Sequence, residues 1–325
     1  MSGGLVFLLP LLVVAAVVAV VLVAVPRRRA LVAADEAAFP GLAHLRRTTL
    51  AARLVAVLVG LVALVPVGTV GRLGQGLARV PAAFAAVQIL GVLAADLVAR
   101  HDARTPGSAG LEVRRARDFL PQGLTRMTGL AAGALTVLLV WATMVASPDD
   151  LGRAGRSLSY TCVDDCDSGA LGPWPGSFYS VPLALALLTV TALAALAVVA
   201  TVRRPRDGSD AEVLRVDDAV RRRSVESVLA SLCVAVSASL AGTGLVAGLG
   251  LVGQSRAPLG LQIAGWLALA AGLAALVLLA WCLVVLTLPG GPAEHEGRTV
   301  AVVGSPPDTG PWAGTVDGDG RGPHR

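Results

Sequence analysis

The chain contains no lysine: all 27 of its basic side chains are arginine. Without a side-chain amine no Schiff base can form, which excludes a retinal-type receptor despite the number of apolar stretches described below. Histidine is scarce as well. His44, His101, His295 and His324 all fall outside those stretches, so neither a bis-His haem nor an intramembrane zinc protease has its ligands. The phosphate-binding Gly-Lys-Ser/Thr motif is missing. Charged residues make up 15% of the 325 positions, against about a quarter in a soluble domain. Nor is there a ladder of intramembrane charges such as proton pumps and voltage sensors require. No catalytic, cofactor-binding or metal-binding constellation can be assembled, and the chain reads as a non-enzyme without a cofactor.

What is abundant is apolar length. Hydrophobic residues account for 55% of the chain and the mean hydropathy is +0.72. A helix needs about 20 mainly apolar residues to cross roughly 30 Å of hydrocarbon. Stretches of that order recur at about 5–25, 51–71, 80–99, 127–147, 179–202, 225–250 and 259–288. The first has no charge before it and Arg27, Arg28 and Arg29 directly after it, the pattern of an anchor rather than of a cleaved signal peptide. The expected fold is therefore all-α, a polytopic transmembrane bundle of seven spans.

The arginines orient it. Counted over alternate connections and the tail, 22 of the 27 fall on one side. This obeys the positive-inside rule in a single register, with the N-terminus outside and the C-terminus in the cytoplasm of a bacterial plasma membrane. A basic pI of about 9.6 would suggest nucleic acid in a soluble protein, but these arginines sit in loops beside spans. Their expected partners are the bilayer and its anionic head groups, not nucleic acid.

Three connections carry further expectations. Residues 203–224 read as an interfacial helix, with Ser209 and Glu212 at capping-box spacing and with Asp217–Arg221 and Asp218–Arg222 as surface pairs four apart. Glu112, Val113, Arg115 and Asp118 recur as Glu212, Val213, Arg215 and Asp218, either an internal repeat of the kind transporters carry or coincidence. Residues 289–325, rich in Gly and Pro, read as a disordered cytoplasmic tail. The one sizeable extracytoplasmic loop is 148–178, where Trp174, Phe178 and Tyr179 are placed as an interfacial aromatic belt.

Few residues invite a specific role. Cys162 and Cys166 lie in the outside loop among Asp164, Asp165 and Asp167; a small disulfide loop is favoured there, over free thiols or a carboxylate-held cation. Cys233 and Cys282 fall inside spans and read as buried thiols. Asp96 is the one acid within a span; Arg100, one turn on, offers it an i,i+4 partner near the cytoplasmic boundary. Gln88 and Gln262 are expected to face protein. Small residues repeat every fourth position at Gly129 and Gly133, at Ser227, Ser231, Ala235 and Ser239, at Gly244 and Gly248, and at Ala264, Ala268 and Gly272, which lets helix backbones approach closely.

The stretches Ser147-Pro148-Asp149-Asp150-Leu151-Gly152-Arg153-Ala154-Gly155-Arg156 and Gly172-Pro173-Trp174-Pro175-Gly176-Ser177-Phe178-Tyr179-Ser180 resemble those of uncharacterised multi-pass membrane proteins of GC-rich actinobacteria. The resemblance spans roughly Pro26–Pro289 and implies membrane localisation without an activity. The expected function is a structural or accessory component of a membrane complex, with a membrane-protein partner or a second copy; the alternative is a small-solute transporter or permease subunit.

Overall fold

In a computed structural model the described residues are 74–102, 119–161, 168–203, 211–254 and 257–287, together with 19, 22, 23, 25, 26, 55, 56, 58–60, 62 and 65–69. Most of the expected first span, part of the second, Cys162 and Cys166, Glu112 and the tail from 289 lie outside them. Among the described residues five long helices carry the architecture: α1 (Gln75–Asp102), α2 (Gln122–Met144), α3 (Ser177–Val202), α4 (Ala211–Val252) and α5 (Leu259–Thr287). All five are long and apolar enough to cross a membrane.

Their outward faces agree with that. Leu130 and Val137 on α2, Leu185, Leu188 and Leu196 on α3, and Ile263 and Leu267 on α5 are each more than half exposed. Apolar surface on that scale is unfavourable against water and is what hydrocarbon solvates.

α1, α2, α3 and α5 overlie the apolar stretches at 80–99, 127–147, 179–202 and 259–288, while α4 starts well before 225. The expected interfacial helix over 203–224 is not separate: Ala211–Val252 is one helix of 42 residues, about 63 Å long at 1.5 Å per residue. Between Ala211 and Leu240 there is neither Gly nor Pro, so nothing in the backbone breaks the helix where polar loop gives way to apolar span.

α4 is the hub and packs against each of the other four helices. Its first half shares a core with α1, α3 and the end of α5 through Ile89, Val190, Val228 and Val285. Its second half joins α2 and the start of α5 in another core, through Leu135, Leu240, Leu251 and Ala268.

Against α5, two of the small-residue repeats meet. A Cβ added at Gly248 would stand 2.6 Å from the Leu269 nitrogen, one at Gly244 2.7 Å from the Ala268 oxygen, and one at Gly272 2.9 Å from the Leu245 nitrogen. The helices touch backbone to backbone, and only glycine permits it. Gly129 and Gly133 have nothing within 4 Å of such a Cβ; that repeat faces outward.

The loop between α2 and α3 is not merely a connector. Leu158–Tyr160 (β1) pairs antiparallel with Gly169–Leu171 (β2), Leu158 opposite Leu171 and Tyr160 opposite Gly169. A bridge between Ser147 and Ser157 continues the pairing toward α2. Together with the start of α3 this forms a small folded cap over one end of the bundle.

Candidate functional site

At the opposite end, where α1 and α3 finish and α4 enters the bundle, charged and polar side chains converge in the interior. Asp96 on α1 is 5% exposed. Thr201 Oγ1 on α3 donates to its Oδ2 at 3.1 Å, and Ser224 Oγ on α4 donates to its Oδ1 at 3.0 Å. Three helices thus share one carboxylate.

Arg221 lies beside them and is fully buried. Its Nε and Nη2 donate to Asp217 Oδ2 at 2.9 and 2.6 Å. Its Nη1 donates to the Val202 carbonyl at 3.1 Å and reaches the Thr201 carbonyl at 3.5 Å. Those carbonyls belong to the last turn of α3, which no residue of α3 itself can satisfy and which carries the negative end of the helix dipole. A guanidinium supplies both missing donors and the matching charge. Thr201 joins the two halves, giving its hydroxyl to Asp96 and its carbonyl to Arg221.

The sequence placed Asp217 and Arg221 four apart as a surface pair. The pair forms, but in the interior, because the end of α3 and the flank of α1 cover it. Arg100 has its side chain outside the described residues, so the expected partnership with Asp96 is not visible. Nothing in the sequence singles out Thr201 and Ser224: hydroxyl residues are common in spans, and only the meeting of three helices distinguishes these two.

Nearer the middle of α1, Gln88 is 2% exposed, and its Nε2 has no hydrogen-bond partner among the described residues. A Cβ on Gly60 would stand 3.3 Å from that nitrogen. Gln88 therefore faces protein as expected. Gln262 sits at the start of α5 and donates from Nε2 to the Ala257 carbonyl at 2.7 Å, serving its own turn.

Cys233 and Cys282 correct the expectation of separate buried thiols. They stand at disulfide distance, joining α4 to α5 across a Cα–Cα separation of 6.2 Å. At a sequence separation of 49, only the packing of the two helices brings them together.

The cap has its own order. Trp174 is 2% exposed, donates from Nε1 to the Ala142 carbonyl at 2.8 Å and lies edge-on to Trp141 with centroids 5.6 Å apart. It is a core residue under the cap rather than part of an interfacial belt. Asp149 organises the first turn: Oδ1 accepts from the Leu151 and Arg153 amides at 3.1 and 2.8 Å, and Oδ2 from Arg153 Nε at 2.7 Å. Burial raises the pKa of this carboxyl, but the hydrogen bonds from Arg153 and Leu151 and the Arg153 charge outweigh it and hold it below the ordinary value.

Tyr160 Oη donates to Gln254 Oε1 at 3.4 Å and Gln75 Nε2 to the Phe178 carbonyl at 2.8 Å, tying the cap to the α4–α5 turn and to the start of α1. The cap also holds a cleft of about 850 Å³ whose lining includes Asp149, Asp150, Arg156, Ser159, Leu171 and Pro173.

Among the described residues no three His, Cys, Asp or Glu side chains stand close enough to hold a metal ion. The chain matches no protein-family model, and neither a curated protein nor a solved structure is significantly similar to it.

Proposed function

We propose that this chain is a non-enzymatic component of the bacterial plasma membrane, a rigid scaffold or accessory subunit of a larger complex. In this reading it makes seven spans, with the cap outside and the arginine-rich ends of α1, α3 and α4 in the cytoplasm beside anionic head groups. The observation that carries the proposal is the state of Arg221: a fully buried charge spent on Asp217 and on the end of α3. A group bound to its own fold on every side holds helices in place. The backbone contact of α4 with α5, and the cysteine pair across them, point the same way.

Chemical cross-linking in native membranes tests this reading. A scaffold yields a discrete larger species containing the chain, either with a second protein or with another copy. Recovery of the monomer alone, under conditions that cross-link known neighbours in the same membranes, would overturn it.

A second reading, a small-solute permease subunit, draws on the buried amide of Gln88 two turns from Asp96. It predicts a solute-dependent growth defect on deletion that Asp96→Asn fails to rescue at normal protein levels. The scaffold reading predicts rescue whenever the variant accumulates.

A further inference from the structure

We infer that the cleft in the cap is a binding site for a small zwitterion, a molecule carrying an ammonium and a carboxylate such as an amino acid or a short peptide. The inference is independent of the scaffold reading and rests on two opposite charges along one cleft, neither of which makes a hydrogen bond among the described residues.

The positive group is Arg156. Its guanidinium carbon lies 3.8 Å from the centroid of the Phe178 ring, which fixes the plane of the group and shields one face. The side chain is 16% exposed, and its nearest acid is Asp149, 4.0 Å from Nη1. That distance is beyond a hydrogen bond, and the Oδ2 concerned already accepts from Arg153 Nε. Arg156 Nε is buried and has no hydrogen-bond partner among the described residues. A guanidinium offers five N–H donors in a planar fork suited to carboxylate, and here none of them makes a hydrogen bond among the described residues.

The negative group is Asp150. It lines the same cleft, is exposed, and makes no ion pair or hydrogen bond among the described residues. Its neighbour Asp149 is different, being held by two amides and Arg153. Asp149 shapes the turn, while Asp150 remains free to meet an ammonium. Leu171 and Pro173 contribute apolar wall to the same cleft. The volume falls within the range of small-molecule sites, which pair mainly apolar walls with a few polar groups that fix orientation. A ligand of one sign would satisfy one of the charges and be repelled by the other; a zwitterion satisfies both.

Calorimetric titration of the full chain in nanodiscs tests this with three probes: alanylalanine, its N-acetyl derivative and its C-terminal amide. Alanylalanine is expected to bind saturably, and each blocked probe about tenfold more weakly, the size expected for loss of one charge-assisted hydrogen bond. Asp150→Asn should erase the difference between alanylalanine and the N-acetyl probe, and Arg156→Gln the difference between alanylalanine and the amide. No saturation by about 10 mM, where a Kd of order 1 mM would fill most sites, would overturn the inference. So would equal binding of either blocked probe, or variants that leave the ranking unchanged. If Arg156→Gln disturbs the cap, Asp150→Asn decides alone, since that side chain is exposed and makes no ion pair or hydrogen bond among the described residues.

Discussion

At the scale of single residues, the buried network is sensitive to loss of one member and tolerant of paired replacement. Removing one partner of a buried ion pair strands the other, at a cost of about 3–5 kcal/mol. Arg221→Leu is expected to destabilise the bundle by about 3 kcal/mol, read from steric-trap unfolding in detergent. Combining it with Asp217→Leu should recover most of the loss, because neither charge is then left alone. Thr201→Val removes one hydroxyl from Asp96 and should cost about 1 kcal/mol, nearer the modest values found for polar contacts between spans. An Arg221→Leu variant as stable as the native chain would show that the pair holds nothing.

Asp149 gives the cap a pH dependence of definite sign. A carboxyl whose folded pKa is depressed stabilises above its unfolded value, near 3.9, and the contribution disappears as pH falls through the lower folded value. The fluorescence of Trp174, buried beneath the cap, should therefore stay constant from neutrality down to about pH 4 and change only below it. A transition centred near pH 6 would assign the cap's stability to other groups.

At the scale of elements, the α4–α5 seam and the outer face of α2 make a matched comparison. Gly248→Leu pushes a side chain into the Leu269 backbone; overpacking of that kind costs about 1–3 kcal/mol and should also break the cysteine pair. Gly129→Leu enters open space and should leave monomer stability unchanged. For the pair itself, denatured protein should show Cys233 and Cys282 blocked to maleimide until reduced, as judged by mass spectrometry of the α4 and α5 peptides.

Much at this scale was legible in the sequence. Apolar length located α1, α2, α3 and α5, and four-residue spacing identified the glycines of the seam. Spacing alone did not distinguish Gly244 and Gly248, which meet α5, from Gly129 and Gly133, which meet nothing. The fusion of the polar segment with the span in α4 was missed because charge density suggested a boundary that the backbone does not observe. Arg221 was placed in the right pair on the wrong side of the helix surface, since its burial depends on where α3 ends. The hairpin of the cap has strands of three residues, too short for alternation to register.

At the scale of the whole molecule, a bundle of helices apolar enough to cross a membrane is locked at one end by a shared carboxylate and a buried guanidinium and carries a folded cap at the other. The proposed orientation puts the cap outside and the arginine-rich end in the cytoplasm. The most direct measurement inserts one epitope after Gly152, in the exposed turn of the cap, and a second after Arg325, and compares antibody access in intact and permeabilised cells. The cap epitope should stain in intact cells and the terminal epitope only after permeabilisation. Equal access to both in intact cells, or the reverse pattern, would contradict it.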